Sequence, residues 1–409
     1  MRIAIVGGGA SGLTAALAAS GRGLKIDLYE QNSEPGRKIL ASGNGRCNIS
    51  NISLSSEDYY GEHPSFVKPV LNGFDFKAFE RFSFSYGLML DVREDGRVYP
   101  LSNEARSVHE ILCSSAKERG VNFQTRTFVE SIDRVAGSFI IETSGRSERY
   151  DRVLLATGSP AAPQLGGGMS GLRMAEALGH RIVEPYPTLV GLHLKGSLHE
   201  VMSGVKCRAG ITLYVDSKRR TEIVGDLLFT RYGVSGFGVL DISTEASHAL
   251  RRGRNVSLGI DLMPGLARQG LVQKMEKIRR RVPQSSTFLM LHGFLPRRVV
   301  SAVVEDLKLD PKKICADLGP KEIRRIASTI CDWRFEVSDT HGYRHAETAG
   351  GGVSTEDVDS STMESKIVPG LHFSGEILDI VGRRGGYNLH FAWASGYLAG
   401  RAIRTKMSR

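Results

Sequence analysis

The stretch that most constrains this chain is its first thirty residues. Arg2-Ile3-Ala4-Ile5-Val6 is a short apolar run of strand character, and Gly7-Gly8-Gly9-Ala10-Ser11-Gly12 follows at once. Leu13 to Ala19 reads as a helix of small residues, and Lys25-Ile26-Asp27-Leu28-Tyr29 as a second strand ending in Glu30, 18 residues past Gly12. Strand, GxGxxG, helix, strand and terminal acid make up the layout of a dinucleotide-binding unit. Each residue type has a physical task. Gly7 permits the tight turn, a side chain at Gly9 would clash with a pyrophosphate, and Gly12 lets helix and strand approach. Ala10 and Ser11 carry the unpaired N–H groups of the helix start, where the positive end of the dipole faces the phosphates. Glu30, with Gln31 beside it, accepts hydrogen bonds from ribose hydroxyls and repels a 2′-phosphate. The expected ligand is an adenine dinucleotide.

The following segment, 35–48, reads Pro-Gly-Arg-Lys-Ile-Leu-Ala-Ser-Gly-Asn-Gly-Arg-Cys-Asn. Cations interleaved with glycines and amides suit a loop lying against an anion. Arg37, Lys38, Ser42, Gly43, Arg46 and Cys47 are its candidate cofactor contacts, the cations facing a phosphate or the electron-rich edge of a flavin. Cys47 is the one cysteine of that loop, read either as structural or as a catalytic proton donor. Helices are expected over 75–86 and 103–119, with a hairpin at 90–100 turning on Asp95-Gly96. Strands expected at 128–135, 138–143 and 150–156 form a meander that leads into Thr157-Gly158. This is the usual continuation in flavoproteins, not in simple NAD dehydrogenases. Val129 is expected to meet the adenine through its backbone, and Thr157 and Gly158 to line the cofactor. Gly166 to Gly171 also spells GxGxxG, but Pro160 and Pro163 precede it and no acid-ended strand follows. It reads as a loop glycine cluster, with a second nucleotide site as the alternative.

From about residue 189 the pattern changes. Residues 189–262 alternate strands and turns, and 267–331 are mostly helical, broken at Pro283, Pro296, Pro311 and Pro320. Near the end, Gly370 to Glu376 is a strand running into a turn, and Gly385-Gly386-Tyr387-Asn388-Leu389-His390 opens a helix over 391–404. This second glycine-rich helix start brings another dipole end, and Gly375, Glu376, Asn388 and Leu389 complete the cofactor set. The fold class is therefore α/β, with a Rossmann-like dinucleotide domain split in sequence. Its parts are 1–188 and 346–409. Between them lie a β-barrel-like domain at 189–262, a helical insertion at 263–331 and a return strand at 332–345. Within the insert, the segment 228–237 reads Leu-Phe-Thr-Arg-Tyr-Gly-Val-Ser-Gly-Phe, a functional loop or a plain β-turn. Arg231 is its candidate catalytic residue, touching substrate; the competing reading is an exposed turn residue, or a partner for a local acid such as Asp226.

Charge narrows the function classes. The net charge is +10, with clusters at Arg251-Arg252-Gly253-Arg254, Arg279 to Arg281, Arg297-Arg298 and Arg383-Arg384 and a basic C-terminal tail. Solvated helix faces and attraction for an anionic cofactor explain this, as does contact with a nucleic-acid substrate such as RNA; no aromatic-interleaved single-strand platform stands out. No apolar run of about 18 residues exists to span a membrane. The five cysteines contain no CxxC, so neither a metal site nor a dithiol relay is encoded locally. A cytoplasmic, reducing setting is expected.

Several of these stretches resemble one family, the BaiN/YhiN-like flavoproteins, also labelled aminoacetone-oxidase family FAD-binding enzymes. The matching pieces are Gly36 to Asn48, Thr348-Ala349-Gly350-Gly351, Thr362 to Lys366, Gly375 to Asp379 and Gly385 to Leu389, in order over nearly the whole chain. The resemblance implies FAD as cofactor, a split Rossmann-like domain, a β-barrel-like insert and a small helical domain. It implies an oxidoreductase passing hydride through flavin N5, possible reduction by NAD(P)H, and no single substrate. Members are associated with amine oxidation, with reduction of conjugated C=C bonds, and with uridine reduction to dihydrouridine in ribosomal RNA. The chain departs from the family pattern at three places: Ser159 stands where a second glycine is usual, Arg231 and Phe237 stand at the His and Pro positions of the 228–237 loop, and His390 ends the GGYNL segment. An arginine is always charged and cannot donate a proton at neutral pH, though it suits an anionic substrate.

Overall fold

The first thirty residues fold as strand β1 (Arg2–Val6), helix α1 (Ala10–Ala19) and strand β2 (Lys25–Glu30). In this computed structural model, which describes residues 1–405, β1 is the centre of a five-stranded sheet. The order is Leu371–Phe373, Arg152–Leu155, β1, β2, Asn122–Thr125, and every pair is parallel. Val6 lies opposite both Leu155 and Tyr29, so the carboxyl ends of the three central strands finish side by side. Continuous apolar runs such as Ile3-Ala4-Ile5-Val6 are buried on both faces, as a helix-covered parallel sheet requires.

The expected meander is present with one change. Val129–Val135, Ser138–Thr143 and Arg146–Tyr150 pair antiparallel. The strand expected over 150–156 is divided at Asp151, whose N–H donates to Arg2 O at 2.9 Å and whose carboxylate accepts from Arg2 N–H at 2.7 Å. Held there, the chain leaves the meander and continues as Arg152–Leu155 in the parallel sheet. The C-terminal helix, Tyr387–Thr405, begins four residues before the expected 391 and crosses α1 at close range. A Cβ at Gly396 would lie 2.3 Å from Ser11 O, and one at Gly400 would lie 2.3 Å from Ala15 O. Only glycine allows backbones to meet at that distance.

This first unit comprises Met1–Tyr186 and the segment from Glu347 onward; the second is Pro187–Ala346. Crossings were expected after 188 and 345. The second unit is a closed antiparallel barrel of Leu192–Leu194, Gly233–Ser235, Lys218–Thr230, Lys206–Val215, Val256–Asp261 and Trp333–Thr340. The β part (189–262), the helical insertion (263–331) and the return strand (332–345) share one core instead of forming separate bodies. Leu271 and Met275 of the helix Arg268–Arg281, and Ile326 and Ile330 of Pro320–Cys331, belong to the same buried cluster as Leu258, Ile260 and Phe335 of the barrel. The physical reason is in Pro320–Cys331: its apolar residues Ile323, Ile326, Ala327 and Ile330 recur every three to four positions, a stripe that needs a surface to cover. The basic C-terminal tail lies partly outside the described residues.

Candidate cofactor site and the tip of the inserted unit

The glycines that follow β1 are not equivalent. Gly7 has φ +109°, and a Cβ there would sit 2.3 Å from Ala156 O on the neighbouring strand. A Cβ at Gly12 would sit 2.0 Å from Gly7 O, so these two hold helix against strand. At Gly9, by contrast, a Cβ would meet no protein atom within 4 Å. Gly9 is also the N-cap of α1, and no side chain caps that helix. The first-turn N–H groups, Ala10 and Ser11 among them, therefore face an open space at the positive end of the dipole. Glu30 is 8 % exposed: its Oε2 accepts from Gly8 N–H at 3.1 Å, and its Oε1 from Asn32 N–H at 2.8 Å. Asn32 Nδ2 also donates to Oε1, at 2.7 Å, so the carboxylate is held in place with a lone pair of Oε2 left for a ribose hydroxyl.

Around this centre the structure assembles most of the anticipated residues. The segment 35–48 is partly regular: Arg37–Ala41 is a short helix and Ser42–Gly45 a tight turn, with Gly36 N–H donating to Gly8 O at 2.8 Å. Arg37 donates to Asn32 Oδ1 at 2.8 Å, and Ser42 Oγ to Ile39 O at 2.7 Å. Arg46 sits 5.7 Å from the Tyr99 ring centroid and donates to the carbonyl of Gly43. Lys38 and Glu376, 338 residues apart, form an ion pair of 3.0 Å, and Glu376 Oε1 accepts from Ala349 N–H at 3.1 Å. Gly158, at φ +74°, has only Glu376 Oε2 near the position of a Cβ, at 3.9 Å. Val129 opens its strand just after Thr127, whose N–H donates to Glu30 O at 3.0 Å. Gly375 lies against α1, since a Cβ there would be 2.5 Å from Ser11 Oγ, and Ser11 Oγ donates to Ser374 O at 3.3 Å. Asn388 has its side chain committed to the 382 turn, accepting from Gly382 N–H and donating to Gly382 O, both at 2.7 Å; Leu389 is partly buried against the core.

Sequence reading missed two contributors. Asn32 braces both Glu30 and Arg37, and no local pattern marks it. The glycine cluster at 166–171 joins the first site: Gln31 Nε2 donates to Gly166 O at 2.8 Å, and a Cβ at Gly171 would fall 1.8 Å from Thr157 Oγ1. It is preceded by the one-turn helix Pro163–Leu165, not by a strand, and opens the helix Ser170–Ala177.

The residues fit a flavin adenine dinucleotide. The space at Gly9 is the cradle that a Cβ would fill. Thr157 Oγ1 and Ser374 Oγ are buried without a hydrogen-bond partner, just past the carboxyl ends of the two strands that lie on one side of β1, where a bound polar group would satisfy them. Cys47 is fully buried with φ +58°, and burial pushes its thiol up to about 12, a setting that suits packing and not proton delivery. His390 is fully buried, bonded to Ser50 Oγ at 2.8 Å and Phe74 O at 3.1 Å, and burial pulls its imidazole down to about 4. Ser159, at the family's glycine position, is buried and accepts from Ala161 N–H at 3.2 Å.

In the second unit the segment 228–237 is a hairpin. Leu228, Phe229 and Thr230 pair with Ser235, Val234 and Gly233, which leaves Arg231 and Tyr232 as a two-residue tip before the helix Phe237–Arg251. Arg231 is exposed. Asp226, the local acid named in the competing reading, pairs with Lys206 at 3.0 Å. The basic clusters also sort by unit. Pro187–Ala346 holds 26 Lys and Arg against 16 Asp and Glu, whereas the rest of the chain holds 28 against 28. The whole excess of positive charge resides in the inserted unit. Among the described residues, no group of His, Cys, Asp and Glu is arranged to hold a metal ion, and no helix is long and apolar enough to cross a membrane.

The family model described as HI0933-like protein Rossmann domain matches residues 1–402. A 3-dehydro-bile acid delta(4,6)-reductase of Clostridium scindens is 34 % identical over 403 residues, 98 % of each chain. A ribosomal RNA dihydrouridine synthase of Escherichia coli is 31 % identical over 396 residues, 96 % of this chain and 95 % of its own. Among solved structures, a 3-ketosteroid delta1-dehydrogenase from Sterolibacterium denitrificans aligns over 99 % of both chains with a TM-score of 0.50 at 13 % identity, a likeness of fold.

Proposed function

The chain belongs to the HI0933-like Rossmann-domain family and is an FAD-dependent oxidoreductase, and we propose that it reduces a C=C bond conjugated to a carbonyl, the uracil ring of an RNA uridine being its substrate. The two relatives named for reductions share this chemistry on different carbon frames: a dienone in one, the C5=C6 bond beside C4=O of uracil in the other. Bound in this site, FAD in its reduced form would supply the hydride from N5 to one carbon of that bond, and solvent would supply the proton to the other.

The protein's own residues set the conditions. The N-terminus of α1, the 35–48 segment and Glu30 hold the anionic and ribosyl parts of the dinucleotide, and the Lys38–Glu376 pair keeps a cation and a carboxylate fixed beside Gly158. Arg231, at an exposed hairpin tip, offers fixed N–H donors for a substrate carbonyl or phosphate. As a permanent cation it polarises and does not give up a proton. Cys47 is read as structural, because its thiol is buried.

The observation that carries the RNA reading is the charge partition. A small neutral enone gives no reason for an insert holding ten more cations than acids, while a cofactor site draws on the other, balanced unit. Phosphates do. The same reading places the enzyme in the cytoplasm. The test is to compare ribosomal RNA nucleosides of a deletion strain and its parent: loss of a dihydrouridine is expected. Affinity of the purified enzyme for that RNA should fall steeply with salt, log Kd moving by about 0.7–0.9 per log salt for each phosphate neutralised. Unchanged nucleosides, together with salt-independent turnover of a neutral enone, would assign the enzyme to small molecules.

A further inference from the structure

Three side chains, two of them four residues apart and the third more than a hundred residues away, form a column of stacked rings in the second unit. Tyr232, at the hairpin tip, lies over His341 with centroids 3.6 Å apart and planes at 11°. His341 stacks in turn on His345, at 4.1 Å and 25°. His193 braces the middle ring through a hydrogen bond of 2.9 Å between its Nε2 and His341 Nδ1. The barrel sets this arrangement. Leu192 pairs with Thr340 and His193 with Asp339, and His341 N–H donates to Gly191 O at 2.8 Å, so His193 and His341 are diagonal neighbours on adjacent chain segments, within reach of one another. The turn Tyr343–His345 then returns His345 over His341. Gly191 leaves room for the tyrosine, since a Cβ there would be 2.6 Å from its hydroxyl.

The column is graded in exposure. His193, Tyr232 and His341 are half-buried, whereas His345, its last ring, is exposed. Burial, and then His345 and His193, hold the His341 imidazole below the usual histidine range, so the middle ring is neutral at pH 7. A flat stack with an exposed end thus stands in the unit that carries all the excess cations, with Arg231 next to Tyr232. One ligand chemistry matches both properties: an unstacked base whose π-face continues the column while its phosphates meet the surrounding cations. We propose that His345 is the outer member of a base-stacking platform, built on His341 and Tyr232, for single-stranded RNA. This rests on the RNA reading above and adds the place where the inserted unit grips a base.

The test uses the FAD-loaded enzyme and two probes: a fluorescent uridine-rich RNA of about 12 nucleotides and inorganic polyphosphate of similar charge. His345→Ala removes the outer ring, and His345→Phe keeps a flat face. Loss of one stacked base lowers RNA affinity about tenfold in His345→Ala, with polyphosphate affinity unchanged, and His345→Phe returns RNA affinity to within about twofold of wild type. An alanine variant that binds RNA as tightly as wild type, or that loses RNA and polyphosphate alike, overturns the platform while wild-type uridine reduction keeps the RNA reading standing. A wild-type enzyme that binds RNA no better than polyphosphate and reduces no uridine removes both.

Discussion

Replacing Gly9 and Gly12 one at a time separates cofactor recognition from folding within a single motif. Gly9 has φ −76° and ψ −169°, an extended conformation open to any residue, and its added methyl touches no protein atom within 4 Å. In Gly9→Ala the unfolded chain loses freedom, which stabilises by about 0.4–1 kcal/mol, and the poorer N-cap offsets a similar amount. The cofactor-free variant should therefore melt within about 2 °C of wild type. The same methyl occupies the pyrophosphate space, so FAD affinity should fall at least about a hundredfold. With FAD at about 100 times the wild-type Kd, binding stabilises wild type by about 2.7 kcal/mol, roughly 3–5 °C in Tm, and that gain should fall to about 0.4 kcal/mol or less in Gly9→Ala. Gly12→Ala should behave in the opposite order: its methyl meets Gly7 O at 2.0 Å, so the cofactor-free protein loses about 1–3 kcal/mol by overpacking. Thermal melts of both variants with and without FAD, beside a flavin fluorescence titration, decide it. Wild-type FAD affinity in Gly9→Ala, or a cofactor-free Gly9→Ala that melts as low as Gly12→Ala, refutes the assignment.

Two further outcomes follow from the geometry. Arg231→Ala should leave FAD content intact and lower kcat/KM by about 2–4 kcal/mol, the worth of one preorganised donor; steady-state kinetics with the true substrate would return Arg231 to a plain turn residue if kcat/KM were unchanged. His390, held neutral with its imidazole at about 4 against an unfolded value near 6.5, contributes stability that is full above about pH 6.5 and is lost as pH falls toward 4. The loss is about 3 kcal/mol, and His390→Gln should flatten that limb of the stability–pH curve; an equally steep limb in the variant would assign the acid sensitivity to other groups.

What was legible in the sequence was what neighbours in the chain decide. The fingerprint from Arg2 to Glu30 works through spacing within thirty residues, and the structure repeats it strand for strand. The split domain was legible because glycine-rich helix starts recur at both ends. The rest depends on partners that no window contains. Lys38 and Glu376 were each expected at the cofactor, but not as a pair across 338 residues. The strand expected at 150–156 reads as one run, because Asp151 breaks it by bonding to Arg2 and not by its own propensity. The column of Tyr232, His341 and His345 exists only through barrel register, so no aromatic spacing announces it. The glycine cluster at 166 spells a nucleotide motif by composition, and only its contacts with Gln31 and Thr157 show that it lies against the first site.

The close crossing of α1 by the C-terminal helix sets an order of events during synthesis. Ser11 and Ala15 present backbone to Gly396 and Gly400, which leave the ribosome 385 residues after Ser11. At about 5–20 residues per second, the first helix waits roughly 20–80 s for the partner that covers it. Pro187–Ala346, contiguous and with its own core, emerges whole inside that interval. The nascent chain is therefore a finished insert flanked by an unfinished cofactor domain whose apolar helix is open to chaperones and to other chains, and stalling late in translation exposes it longest.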